Sequence, residues 1–233
     1  MIKRHAIILL LLTLILVACQ EGTPTEVPIE VVPKPTTPSG AFISEVMAGI
    51  AGNNNFEFIE LYNPGESPFS LENFSLWYRL PNSEEDLLVY QWSSPAAIPG
   101  QGHYLLVREG QEVGLMPNAT FTQALNTGGG GLTLRDSAGE TVDSLGWGNA
   151  PQIFTEGEPA AILENGMSLE RGPGKGGGNQ QDTNNNAADF QLSDSPSPQN
   201  TGSDPTPYVE QLVTLKLDAP ETVEPGSDFE YIL

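Results

Sequence analysis

The chain has 233 residues, with 9 Lys and Arg against 30 Asp and Glu, a formal charge of -21 and a single Cys. Such acidity repels phosphate backbones and anionic headgroups and argues against binding through basic patches, while one Cys excludes an internal disulfide framework and any Cys-based zinc cluster. The 25 Gly and 20 Pro, with 8% aromatics, point to short strands and turns rather than a helical bundle, and the clustering of the 38% hydrophobic residues excludes a wholly disordered chain.

Residues 1–18 read as a signal peptide: Lys3, Arg4 and His5 form a basic start, Ala6 to Val17 an apolar run, and Leu16-Val17-Ala18-Cys19 a cut site flanked by small residues. The run falls short of the about 20 residues that a helix needs to cross a bilayer. The ending "LVAC" resembles a bacterial lipobox. That resemblance implies cleavage before Cys19 and alkylation of its sulfur by diacylglycerol, with several acyl chains at ~0.8 kcal/mol per buried methylene. The expected location is the exported side of a membrane, in the cell envelope or on the cell surface. Gln20 stands where some lineages carry an Asp that retains lipoproteins at the inner membrane, so the leaflet stays open. Loss of Lys3 and Arg4 with the signal leaves 7 basic residues against 30 acids, a charge of -23.

Residues 19–40 follow as the lipidated Cys and a Pro/Thr-rich linker, "QEGTPTEVPIEVVPKPTTPSG" after Cys19, with five prolines and no apolar period. Each Pro holds itself and its predecessor extended, which makes a semi-rigid stalk of at most ~60 Å. A second stretch of this kind, "SDSPSPQNTGSDPTP" from Ser193 to Pro207, closes the central region. Composition bounds a folded region between these two stretches, and the expected division is a domain over 41–201, a linker over 202–210 and a further segment over 211–233.

Within the central region, strands are expected at Phe42 to Met47, Phe56 to Tyr62, Phe74 to Leu80, Leu87 to Trp92, His103 to Arg108, Leu132 to Arg135, Thr141 to Leu145 and Met167 to Arg171. Turns fall at "YNPGES", "AIPGQG" and Asp136-Ser137-Ala138-Gly139, where Gly139 supplies a positive φ. Alternation puts Ile59 and Leu61 in the core, with Phe58, Glu60 and Tyr62 on the other face, and groups Phe74, Leu76 and Tyr78 on one apolar face. Trp92, Trp147 and Phe154 are expected to plug the core or its ends. No helical period is sustained, which leads to an all-β fold, sandwich or barrel.

The run "FISEVMAGIAGNNNFEFIELYNPGESPFSLENFSLWY", followed in order by "GHYLLV", "GGGGLTLRDSAGETVDSLGWGN", "GMSLER" and "DTNNNAADFQLSDSPSPQN", resembles the lamin-tail domain, an Ig-like β-sandwich of nuclear lamins and of bacterial extracellular proteins. The resemblance covers about residues 41–201 and implies an all-β, Ig-like sandwich of lamin-tail type. It fixes fold better than function.

Catalysis is hard to build from these residues. His103 is the only histidine after the signal, enters a strand, and reads as an ordinary surface or hydrogen-bonded residue. No H-E-x-x-H or G-x-S-x-G is present. Carboxylate pairs such as Glu57 with Glu60, or Glu84-Glu85-Asp86, read as solvated faces. "GPGKGG" from Gly172 to Gly177 lacks the following helix and the Ser or Thr of a phosphate loop. Asp182, Asn184, Asn186 and Asp189 place oxygen side chains as calcium loops do, but Ala187 follows Asn186, Ser193 stands at position twelve, and the same residues serve Asx turns. No catalytic residue and no cofactor are therefore expected, with calcium as the alternative. Lamin-type tails elsewhere are connected with DNA, yet residues 41–200 hold 5 Lys and Arg against 20 Asp and Glu, scattered as Arg79, Arg108, Arg135, Arg171 and Lys175. Protein or polysaccharide partners fit better than nucleic acid.

The segment "YVEQLVTLKLDAPETVEPGSDFEYIL" resembles the first two strands of an Ig-like repeat of bacterial surface proteins, so 211–233 is expected to be an incomplete repeat of a longer protein; the alternative is a strand added to the sandwich. The expected function is a membrane-anchored, non-enzymatic binding, adhesion or scaffold module. The rival is an accessory module of a larger extracellular nuclease or phosphoesterase, because lamin-tail modules often accompany such domains.

Overall fold

Short runs that alternate apolar and polar side chains become strands wherever two of them can share a buried face. The computed structural model describes residues 40–207. Their strands, in chain order, are β1 (Phe42–Ile50), β2 (Asn53–Tyr62), β3 (Phe69–Ser70), β4 (Ser75–Arg79), β5 (Leu87–Gln91), β6 (Ala97–Ile98), β7 (His103–Arg108), β8 (Ala119–Phe121), β9 (Gly129–Arg135), β10 (Thr141–Gly148), β11 (Ser168–Arg171) and β12 (Phe190–Ser193), with one helical turn, α1 (Asn186–Asp189), before β12. Cys19, the stalk to residue 39 and the segment from residue 208 lie outside the described residues.

The strands form a six-stranded sheet in the order β12-β11-β1-β2-β7-β8, a four-stranded sheet β10-β9-β4-β5, and a small pair β3-β6. All pairings are antiparallel except β7 with β8. This is an all-β, Ig-like sandwich.

The core between the sheets holds Ile43, Val46, Ile59, Leu61, Leu76, Tyr78, Leu106, Leu132, Leu134, Leu145, Trp147 and Leu169, all fully buried. A bulge between Ile43 and Glu45 inserts Ser44 as an extra residue, so Ile43 and Val46, three apart, both reach this core. Tyr78 stacks on Trp147 at 5.9 Å, and Trp92 meets Tyr90 and Tyr104 edge-on. Trp92 and Trp147 fill the core as expected, whereas Phe154 is buried outside it, against the outer face of the smaller sheet. Gly131 and Gly146 leave room on the outer face of the smaller sheet. A Cβ on Gly131 would lie 2.4 Å from the Cβ of Phe154, and one on Gly146 would lie 2.1 Å from Oγ1 of Thr155.

The outer face of the larger sheet departs from the alternation pattern. Met47, Phe58, Leu105 and Val107 form a second buried cluster there, and Glu60 and Tyr62 are buried beside it. The cover is partly supplied by residues 194–207, which composition marks as a linker. Thr206 donates its N–H to Gln101, Tyr62 donates its hydroxyl to the Thr206 carbonyl, and Asn118 exchanges two bonds with Thr201. Proline- and serine-rich chain is thus laid across the sheet as a strap.

Deleting a fully buried methyl cluster should cost far more than deleting a half-exposed one. Leu61→Ala is expected to lower the unfolding free energy by about 2–5 kcal/mol and Leu88→Ala by less than about 1 kcal/mol, read from urea denaturation.

Candidate functional site

Two buried polar constellations stand out, and β11 supplies both. Alternation sends Leu169 and Arg171 to one face of the strand and Ser168 and Glu170 to the other.

Arg171 is fully buried. It donates Nε–H to the Ile43 carbonyl at 2.8 Å, Nη1–H to the Gln181 carbonyl at 2.9 Å, and Nη2–H to both oxygens of Asp143 at 2.7 and 2.9 Å. The Phe190 and Phe42 rings flank its guanidinium at 4.6 and 5.1 Å. Asp143 also accepts the Ile43 N–H at 2.6 Å. Both backbone groups of Ile43 are thereby held, and β1 is tied to β10 in the opposite sheet. Burial works against the charge on Asp143, and the paired guanidinium works for it. Glu156 stands near this pair, and burial, with the Asp143 charge after it, pushes its carboxyl up to about 7.

On the other face of β11, Glu170 lies directly opposite Glu45 on β1, which in turn lies opposite Glu60 on β2. The three residues are 3%, 1% and 2% exposed, a buried ladder of acids. Ser168 donates a hydrogen bond to Glu45, and Ser44 donates to Glu60 at 2.6 Å. The strap adds Ser197 N–H to Glu45 at 3.2 Å and Gln199 N–H to the second oxygen of Glu60. Burial pushes Glu45 up to about 7 and Glu60 well above the usual carboxylate range.

His103 ends this row. It is fully buried, not at the surface, and stacks at 4.8 Å on Tyr62. Burial drives its imidazole down to about 4, so it is neutral at physiological pH. The Asn179 amide nitrogen donates to the Arg171 carbonyl, which leaves the Asn179 oxygen to accept from His103 Nε2 at 2.9 Å. Glu60 is 3.6 Å away from that nitrogen. Ser44 bonds Glu60 rather than His103, and none of the three reaches solvent, so no nucleophile and base meet at an accessible point.

The expected solvated faces divide. Glu84 and Glu85 are exposed, but Glu57 and Glu60 are buried. Glu57 accepts from Arg108 at 3.1 Å and from the Leu125 N–H at 3.2 Å. Their spacing in sequence carried no sign of this, because the segments that cover them are remote. The calcium candidates do not converge. Asn186 turns into the sandwich, accepting from Gly146 N–H and Glu156 N–H and donating to the Ser144 carbonyl. Asp189 accepts from Thr183 N–H, Thr183 hydroxyl and Asn185 N–H, while Asp182 accepts from Asn184 N–H. Of these only Asp182 makes an Asx turn, and a second one at Asn185 caps α1 through its side chain. Among the described residues no group of three or more His, Cys, Asp or Glu has the geometry to hold a metal ion. "GPGKGG" ends in a single 3-10 turn, Lys175–Gly177, and the Lys175 N–H bonds Glu170.

Four of the domain's cations sit in ion pairs. Arg79 and Arg135 share Asp86 and lie over the Phe154 ring at 5.0 and 5.5 Å, Arg108 pairs with Glu57, and Arg171 with Asp143.

Residues 34–149 match the family model of the Lamin Tail Domain, just under half of the chain. The matched region runs from β1 through β10 and stops before β11 and β12. No curated protein matches the chain.

Removing the guanidinium would leave Asp143 buried without its partner. Arg171→Met is expected to destabilise the domain by about 3–5 kcal/mol, and adding Asp143→Leu to it should restore much of the loss; thermal or urea unfolding of the two variants checks this.

Proposed function

We propose that this lamin tail domain, a non-catalytic Ig-like module, is carried outside the cell by a lipoprotein anchored through Cys19, where it acts as a binding, adhesion or scaffold element. The observation that carries the reading is the joining of "LVAC" and a proline-rich stalk to a sandwich whose titratable interior groups are committed to structure. His103 and the glutamate ladder are sealed from solvent, which favours a module over a hydrolase. Among the described residues no helix is long and apolar enough to cross a membrane. In this reading the lipid on Cys19 makes the contact with the bilayer.

A protein or polysaccharide partner suits this surface better than nucleic acid. Phosphate binding needs clustered free cations, and Arg79, Arg108, Arg135 and Arg171 are each engaged by a carboxylate.

Fractionation of expressing cells tests the anchor. The wild-type chain is expected in the membrane fraction, released only by detergent, and Cys19→Ala in the soluble fraction; membrane retention of Cys19→Ala would contradict the reading.

A further inference from the structure

We propose that residues 194–207 form a pH-gated strap, held closed over Glu45 and Glu60 of the buried ladder while that pair carries a proton and released when both are ionised. This inference is independent of the anchor and of any partner.

The geometry sets the problem. Glu45 stands directly opposite both Glu170 and Glu60, and like charges directly opposite on neighbouring strands repel. The groups that face the ladder do not neutralise it. Ser168 and Ser44 are neutral donors, Tyr62 directs its hydroxyl to the Thr206 carbonyl, and His103 is bonded to Asn179. Lys175 offers Glu170 its backbone N–H and reaches Glu45 only as a distant charge. Among the described residues no Lys or Arg lies within ion-pair distance of the three carboxylates. The acids of the strap itself, Asp194 and Asp204, are exposed. A buried carboxylate that lacks a cation takes up a proton or regains water.

The strap is the part that can readmit water. Its hold on the ladder consists of the Ser197 and Gln199 N–H bonds, backed by Thr201 and Thr206, and it pairs with no strand. Lifting it exposes Glu45 and Glu60 without breaking a single sheet pairing. The direction follows from the shift on Glu45. A carboxyl raised to about 7 in the closed state favours closure below the ordinary carboxylate pKa, and that preference is lost as the pH rises through about 7.

Amide hydrogen exchange on the full chain at pH 6 and pH 8, corrected for the intrinsic pH dependence of exchange, reads the strap directly. Protection over Ser197–Thr206 is expected to fall about tenfold from pH 6 to pH 8, while β2 and β7 keep theirs. In Glu45→Gln the side-chain oxygen still accepts from Ser168 and Ser197 but carries no charge, and the fall should flatten. Equal strap protection at both pH values in the wild type would overturn the proposal. So would an unchanged slope in Glu45→Gln, or a parallel loss in β2 and β7, which would mean global rather than strap opening.

Discussion

A guanidinium taken out of water must find acceptors for its donors, and Arg171 finds them on three different segments of the chain. Its bonds to Ile43, Gln181 and Asp143 join β1, β10 and the loop after β11, and the Phe42 and Phe190 rings close over it. Much of the remaining arrangement follows. With Arg171 directed to the inner side, strand alternation puts Glu170 on the outer side, and antiparallel pairing with β1 sets it against Glu45. The clamp and the acidic ladder are thus two faces of one four-residue strand.

That arrangement explains why the domain needs chain well beyond the region matched by the family model. Residues 34–149 include ten strands, but in them β1 would be an edge of the larger sheet. β11 covers that edge, β12 covers β11, and the strap covers the outer face over Glu45 and Glu60. An exposed edge beside a row of carboxylates would be open to solvent and to other strands. The later segments remove both exposures at once, and they do so partly with backbone N–H donors, which satisfy carboxyl oxygens without adding a cation.

Much of the fold was legible in the sequence because β1, β2, β4, β5, β7, β9 and β10 each run for five or more residues, long enough to show as apolar runs bounded by turn signals. The two- and three-residue strands β3, β6 and β8 are too short to show a period, and β12 follows an Asn-rich run whose turn chemistry dominates. The polar constellations were harder to see. Glu60 was correctly placed on the face away from the core, yet alternation cannot tell that a segment about 139 residues later covers that face. Glu57 was missed for the same reason, and of the two readings given for His103, surface or hydrogen-bonded, only the second holds: burial there is set by remote contacts, to Arg108 and Leu125 for one and to Asn179 for the other. The strap was read as a linker because composition reports the behaviour of an isolated segment and is blind to acceptors waiting on a sheet. Its backbone donors are common to every residue type, so side-chain chemistry gives no signal for them. The Asx turns at Asp182 and Asn185, by contrast, are local and were legible from residue types alone.

Residues 150–207 are an integral part of the sandwich. Circular dichroism of the aromatic region during thermal unfolding, applied to a chain ending at Pro207 and to one ending at Asn149, tests it most directly. The longer chain should show a near-UV signal lost in one cooperative transition, and the shorter chain neither the signal nor the transition. A cooperative melt with native-like near-UV signal in the chain ending at Asn149 would contradict the account.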